Sequence, residues 1–167
     1  MNNIILIGMP GCGKSTIGVV LAKNLGYHFI DSDLVIQEQE HRLLHEIITE
    51  EGLDRFNAIE NRINASIQAD HAVIATGGSV IYGKDAMMHF KRIGTVIYLQ
   101  LPEKQLENRL GDLNQRGVSI REGQTLRSLY EERIPLYEKY ADLTIHCADK
   151  EIRECVNEIA GFINDKI

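Results

Sequence analysis

Asn3-Ile4-Ile5-Leu6-Ile7-Gly8-Met9-Pro10-Gly11-Cys12-Gly13-Lys14-Ser15-Thr16-Ile17 passes from an unbroken apolar run, through a glycine-rich turn, into residues of helical spacing. Gly8 to Ser15 matches GxxxxGK[ST], and the match lies where its mechanism requires, between a strand and a helix. Glycines let the backbone curl so that successive N–H groups face phosphate oxygens, and a helix opening near Lys14 adds its positive dipole end. The pattern therefore predicts a triphosphate cradle. Gly11, Cys12 and Gly13 supply backbone, Lys14 meets the β- and γ-phosphates, Ser15 coordinates a bridging Mg²⁺, and Thr16 supports the α-phosphate. The plainer alternative is a glycine-rich turn without a nucleotide.

Outward from the cradle, short apolar runs at 3–7, 28–30, 72–75, 95–99 and 143–146 read as five strands. Helical spacing separates them at 14–25, 33–40, 43–50, 54–68, 85–91, 103–110, 125–140 and 150–163. Strands that are apolar throughout rather than alternating suit a parallel sheet covered on both faces, an α/β architecture of three layers, α/β/α. The 167 residues carry no repeat, low-complexity tract or linker, which predicts a single domain over 1–167. Residues 111–123 break the apolar period with Gly, Asn, Gln, Arg and Ser, and read as a lid over about 111–124.

A formal charge of -6 argues against a nucleic-acid partner. Cys12, Cys147 and Cys155 form neither an even framework nor a CxxC pair, as expected of free thiols in a reducing compartment. No apolar stretch is long enough for a bilayer, and Ile4 to Ile7 lacks the flanks of a signal peptide, so a cytoplasmic protein without membrane contact is expected; a monomer is the default expectation.

The second predicted strand ends in Asp31-Ser32-Asp33, two carboxylates at the carboxyl edge of the sheet, where such folds bind ligands. One carboxylate for Mg²⁺ (Asp31) and one to accept a hydroxyl proton (Asp33) are what in-line phosphoryl transfer needs. One of the pair also suits a helix cap. After the third strand, Thr76-Gly77-Gly78-Ser79 offers backbone that a ligand can approach closely, although a simple turn looks the same. His41 and His45, four apart on one predicted helix, form a weak metal pair without a recognisable third ligand.

With the cradle, Asp31-Ser32-Asp33, Ala75-Thr76-Gly77-Gly78 and Arg133-Ile134-Pro135-Leu136-Tyr137 in this order and spacing, the chain resembles the shikimate kinases over nearly its whole length. The resemblance implies a P-loop, nucleoside-monophosphate-kinase-like fold, a five-stranded parallel sheet ordered 2-3-1-4-5, and an acceptor-binding helical region at about 33–61. It also implies transfer from ATP to the 3-hydroxyl of shikimate. By position, Asp33 and the backbone of Gly77 and Gly78 contact acceptor hydroxyls, and Arg133 grips a carboxylate. Arg116 reaches the phosphates, joining Lys14 and Asp33 as the catalytic set, and Arg109 packs on adenine; for both arginines the bland alternative is solvated surface charge.

The resemblance has gaps. Asn57 stands at the acceptor-binding position where the family places a second carboxylate-binding arginine, and Leu53 replaces a glutamate. Ser79 replaces a third glycine, and Gly117-Val118 a Pro-Leu pair. Three functions stay open: shikimate phosphorylation, phosphorylation of another small hydroxylated metabolite, and nucleotide sensing without transfer.

Overall fold

A computed structural model describes residues 2–110 and 120–166. Five strands, β1 (Asn3–Ile7), β2 (His28–Asp31), β3 (Ala72–Ala75), β4 (Gly94–Gln100) and β5 (Leu143–His146), form one sheet in the order β2-β3-β1-β4-β5. Every pairing is parallel. β1 and β3 are buried at every residue, as expected of strands whose apolar character does not alternate.

The crossovers are helical: α1 (Lys14–Leu25), α2 (Ser32–Glu40), α3 (Leu44–Glu51), α4 (Leu53–Ser66), α5 (Lys84–Ile93), α6 (Glu103–Arg109), α7 (Leu126–Tyr140) and α8 (Ile152–Lys166). α1 packs on β3 and α8, while α5 and α7 pack on β4, completing the three layers. At the sheet's amino edge, the buried Asn3 side chain ties β1 to the start of β3, the loop before it and the end of α5. Its amide nitrogen donates to Ala69 O at 2.8 Å and Ile93 O at 2.9 Å, and its oxygen accepts from Ala72 N at 3.0 Å.

A second, smaller core of Ile36, Ile47, Phe56, Ile59 and Ile63 lies beneath α2, α3 and α4. It makes these helices a raft with its own packing beside the cradle. β2 runs one residue further than its apolar run, to Asp31, and α8 begins at Ile152 rather than 150. His41 ends α2 in a left-handed conformation (φ 55°) while His45 belongs to α3, so the two histidines do not share a helix face as expected. Among the described residues, no helix is long and apolar enough to cross a membrane.

Candidate active site

The cradle forms where β1 ends and α1 begins. Gly13 precedes the helix at φ 99°, a left-handed conformation that a side chain would strain, and Ile17 N–H donates to its carbonyl at 2.8 Å. Lys14 is nearly buried, its Nζ held by Gly8 O at 2.7 Å and Met9 O at 2.9 Å. Backbone carbonyls thus fix the ammonium inside the loop. Cys12 is buried with Sγ 3.7 Å from that ammonium, facing the core. Arg109 lies across the cradle, Nη1 donating to Gly11 O at 3.3 Å. Arg116 lies outside the described residues, as does most of the expected lid.

The two aspartates divide their tasks. Asp31 caps α2, its Oδ1 accepting from Asp33 N–H at 3.0 Å, while Oδ2 accepts from Ser15 Oγ at 3.4 Å. Capping therefore falls to Asp31, and Asp33 keeps its carboxylate for the cavity. A hydroxyl and a carboxylate side by side at the cradle suit a hard divalent cation such as Mg²⁺, which takes one or two protein oxygens and completes its shell with water and phosphate. Among the described residues, no cluster of three His, Cys, Asp or Glu offers a cage for a softer metal.

Asp33 faces a second acid. Gly77 has no room for a side chain: a Cβ there would lie 2.7 Å from Asp33 Oδ1 and 2.9 Å from Glu60 Oε2. Both oxygens are buried without a hydrogen-bond partner among the described residues. Burial, reinforced by Asp31 and opposed by Lys14, pushes the Asp33 carboxyl up to about 6. Glu60 is pushed up to about 7 by burial, against the Ser79 hydrogen bond, with Asp33 adding repulsion and Arg133 and Lys14 attraction. Ser79 Oγ donates to Glu60 Oε1 at 2.7 Å. The sequence alone assigns Glu60 no role, because its burial and its approach to Gly77 are tertiary facts.

Arg133 is fully buried, with Nη1 beside Gly78, where a Cβ would come within 2.9 Å, and Nε 3.4 Å from the Tyr82 hydroxyl. Tyr137 Oη donates to Gly78 O at 2.6 Å and stacks on Tyr98 at a centroid distance of 5.0 Å, which holds this floor rigid. A cavity of about 450 Å³ joins Gly11, Lys14, Ser15, Asp33, Gly77 and Arg133. Asn57 does not border it and lines instead a second cavity of about 270 Å³.

A parallel sheet in this order, with a phosphate cradle leading from its central strand and an acidic floor beside it, defines a P-loop kinase of the nucleoside-monophosphate-kinase type. The family model for shikimate kinase matches residues 10–164. The chain belongs to the shikimate kinase family. Among its relatives, shikimate kinase of Persephonella marina is 34% identical over 98% of this chain and 99% of its own length. That of Clostridium botulinum is 37% identical over 97% of each. Shikimate kinase from Acinetobacter baumannii, solved in complex with shikimate, superposes with a TM-score of 0.85 at 28% identity, covering 99% of this chain and 94% of that one.

Proposed function

We propose that this chain transfers the γ-phosphoryl group of ATP to the 3-hydroxyl of shikimate, giving ADP and shikimate 3-phosphate. The observation that carries this reading is one cavity in which a tethered lysine at a phosphate cradle, a carboxylate whose Oδ1 has no partner among the described residues, and a buried arginine face the same space.

Lys14 and the amides of the cradle hold the β- and γ-phosphates, and Ser15 and Asp31 would hold Mg²⁺. The cation supplies charge neutralisation on the phosphate oxygens. Asp33 accepts a hydrogen bond from the acceptor hydroxyl; as its oxygen bonds to the γ-phosphorus, the bond to the β–γ bridging oxygen breaks, and the proton passes to Asp33. Gly77 and Gly78 let the acceptor approach the backbone, and Arg133 presents a planar fork to its carboxylate. Arg109 at the rim serves the adenine, and Arg116 the transferring phosphate.

The exposed large apolar residues among those described, Val19, Val20, Leu34, Leu43, Met88 and Ile152, come from several segments of the chain, in keeping with a monomer. Cys12, Cys147 and Cys155 are free and buried, consistent with a reducing cytoplasm. Asn57 keeps one rival in view, a differently substituted hydroxylated acceptor. ADP release measured with shikimate and with a panel of small alcohols decides between them, and Asp33→Asn should abolish most turnover while ATP binding persists. Turnover of other alcohols but not of shikimate would sink the assignment.

A further inference from the structure

We propose that Arg121 supplies the second cation for the acceptor's carboxylate, in place of the arginine that Asn57 has displaced; the inference rests on the phosphotransfer reading above and deepens its acceptor site. The cavity into which Asn57 opens is also bordered by Tyr82, Arg121, Gln124 and Glu132. Arg133 of the main cavity links the two sites: its Nη1 lies beside Gly78, and its Nε reaches, at 3.4 Å, the hydroxyl of Tyr82, which borders this second cavity. Among the described residues lining the two cavities, the arginines are Arg133 and Arg121. The charges of both guanidiniums act on Glu132, which borders the second cavity, so a carboxylate seated on the Tyr82 side of Arg133 would have Arg121 as its second cation.

The backbone of Arg121 is anchored while its side chain is not. Its N–H donates to Gln124 Oε1 at 3.2 Å, and its carbonyl accepts from Gln124 N–H at 3.0 Å, a turn that leads into α7. Among the described residues the guanidinium pairs with Asp54, at 3.9 Å, with both side chains mostly exposed, so the pair is weak and exchangeable. Asp54 and Glu132 border the same cavity and would repel an anionic acceptor unless a cation answered them. Glu132 already accepts from the Tyr82 hydroxyl at 2.6 Å and from Gln124 Nε2 at 3.2 Å. Arg55 is turned elsewhere, toward Glu51 at 3.5 Å, in a cavity it shares with Arg42 and Arg62.

The test compares wild type, Arg121→Ala and Arg121→Lys with shikimate and with its carboxamide at saturating ATP. Arg121→Ala should raise the KM for shikimate about ten- to a hundredfold, the worth of one paired contact to a charged group. Lysine should recover part of the loss, with kcat and the KM for ATP unchanged, because the contact is made equally in ground and transition states. The carboxamide's KM should not move, and adding Asn57→Arg to Arg121→Ala should restore shikimate binding. No change in the KM for shikimate, or the same change for both compounds, would overturn the role of Arg121. A wild type that turns over neither compound defeats the phosphotransfer reading instead; equal calorimetric Kd values of wild type and Arg121→Ala for shikimate would then defeat this inference too.

Discussion

Glu60 is an acid held where its charge is costly. Its carboxyl is raised to about 7 from 4.5, so between those values the folded chain holds a proton that the unfolded chain has lost. Stability therefore falls as pH rises through this window, by on the order of 3 kcal/mol once Glu60 is ionised. Glu60→Gln should melt several degrees above wild type at pH 8 and at about the same temperature at pH 4, read by calorimetry. A gain of equal size at both pH values would mean that Glu60 is not raised. Asp33 is likewise raised, to about 6, by burial and by the charge of Asp31. As the base must be unprotonated to accept the hydroxyl proton, kcat/KM should rise with pH through a limb near 6. Glu60→Gln should leave that limb in place; a limb near 4 would show Asp33 unperturbed.

Among the elements, α7 carries Arg133 and Tyr137 into the site from a start fixed by one hydroxyl. Thr125 Oγ1 accepts from Ser128 N–H at 3.1 Å. Thr125→Ala should cost about 1 kcal/mol of stability in urea unfolding, and a loss below the error of that measurement would show that the helix start is held by other contacts. This helix was legible in the sequence, and so was the passage β1–cradle–α1, because their signals are local: helical spacing, an apolar run, a glycine-rich turn. Asp31 and Asp33 were legible as a pair, but the assignment of the cap to Asp31 depends on the last residue of β2, a boundary that periodicity does not define. Strand order came through resemblance, since β3 inserts between β1 and β2 by pairings that span some forty to seventy residues of chain. Glu60 and Arg121 matter only because α4, Gly77 and the turn before α7 converge in space, and no local pattern announces that convergence.

At the scale of the whole molecule, the site is an edge shared by two packed bodies, the sheet core and the smaller core beneath α2–α4. Lys14 and Ser15 are carried on α1, which packs into the first, Phe56 and Glu60 on α4, which packs into the second, and with Asp33 at the start of α2 all line one cavity. A ligand that touches the cradle and its acidic floor therefore binds the folded chain and not the unfolded one. Mass action then predicts that ATP with Mg²⁺ at about a hundred times its Kd stabilises the fold by about 2.7 kcal/mol. For a chain of this size that corresponds to a rise of roughly 5–10 °C in Tm. Lys14→Ala should abolish most of the rise, since the ammonium that Gly8 and Met9 hold over the loop is the cradle's concentrated positive charge. Asp33→Asn should leave the rise largely intact, because Asp33 serves the acceptor rather than the nucleotide. If Lys14→Ala kept the full rise, the cradle would not be the nucleotide site; if Asp33→Asn lost it, the two ends of the cavity would not be separable in the way the geometry implies.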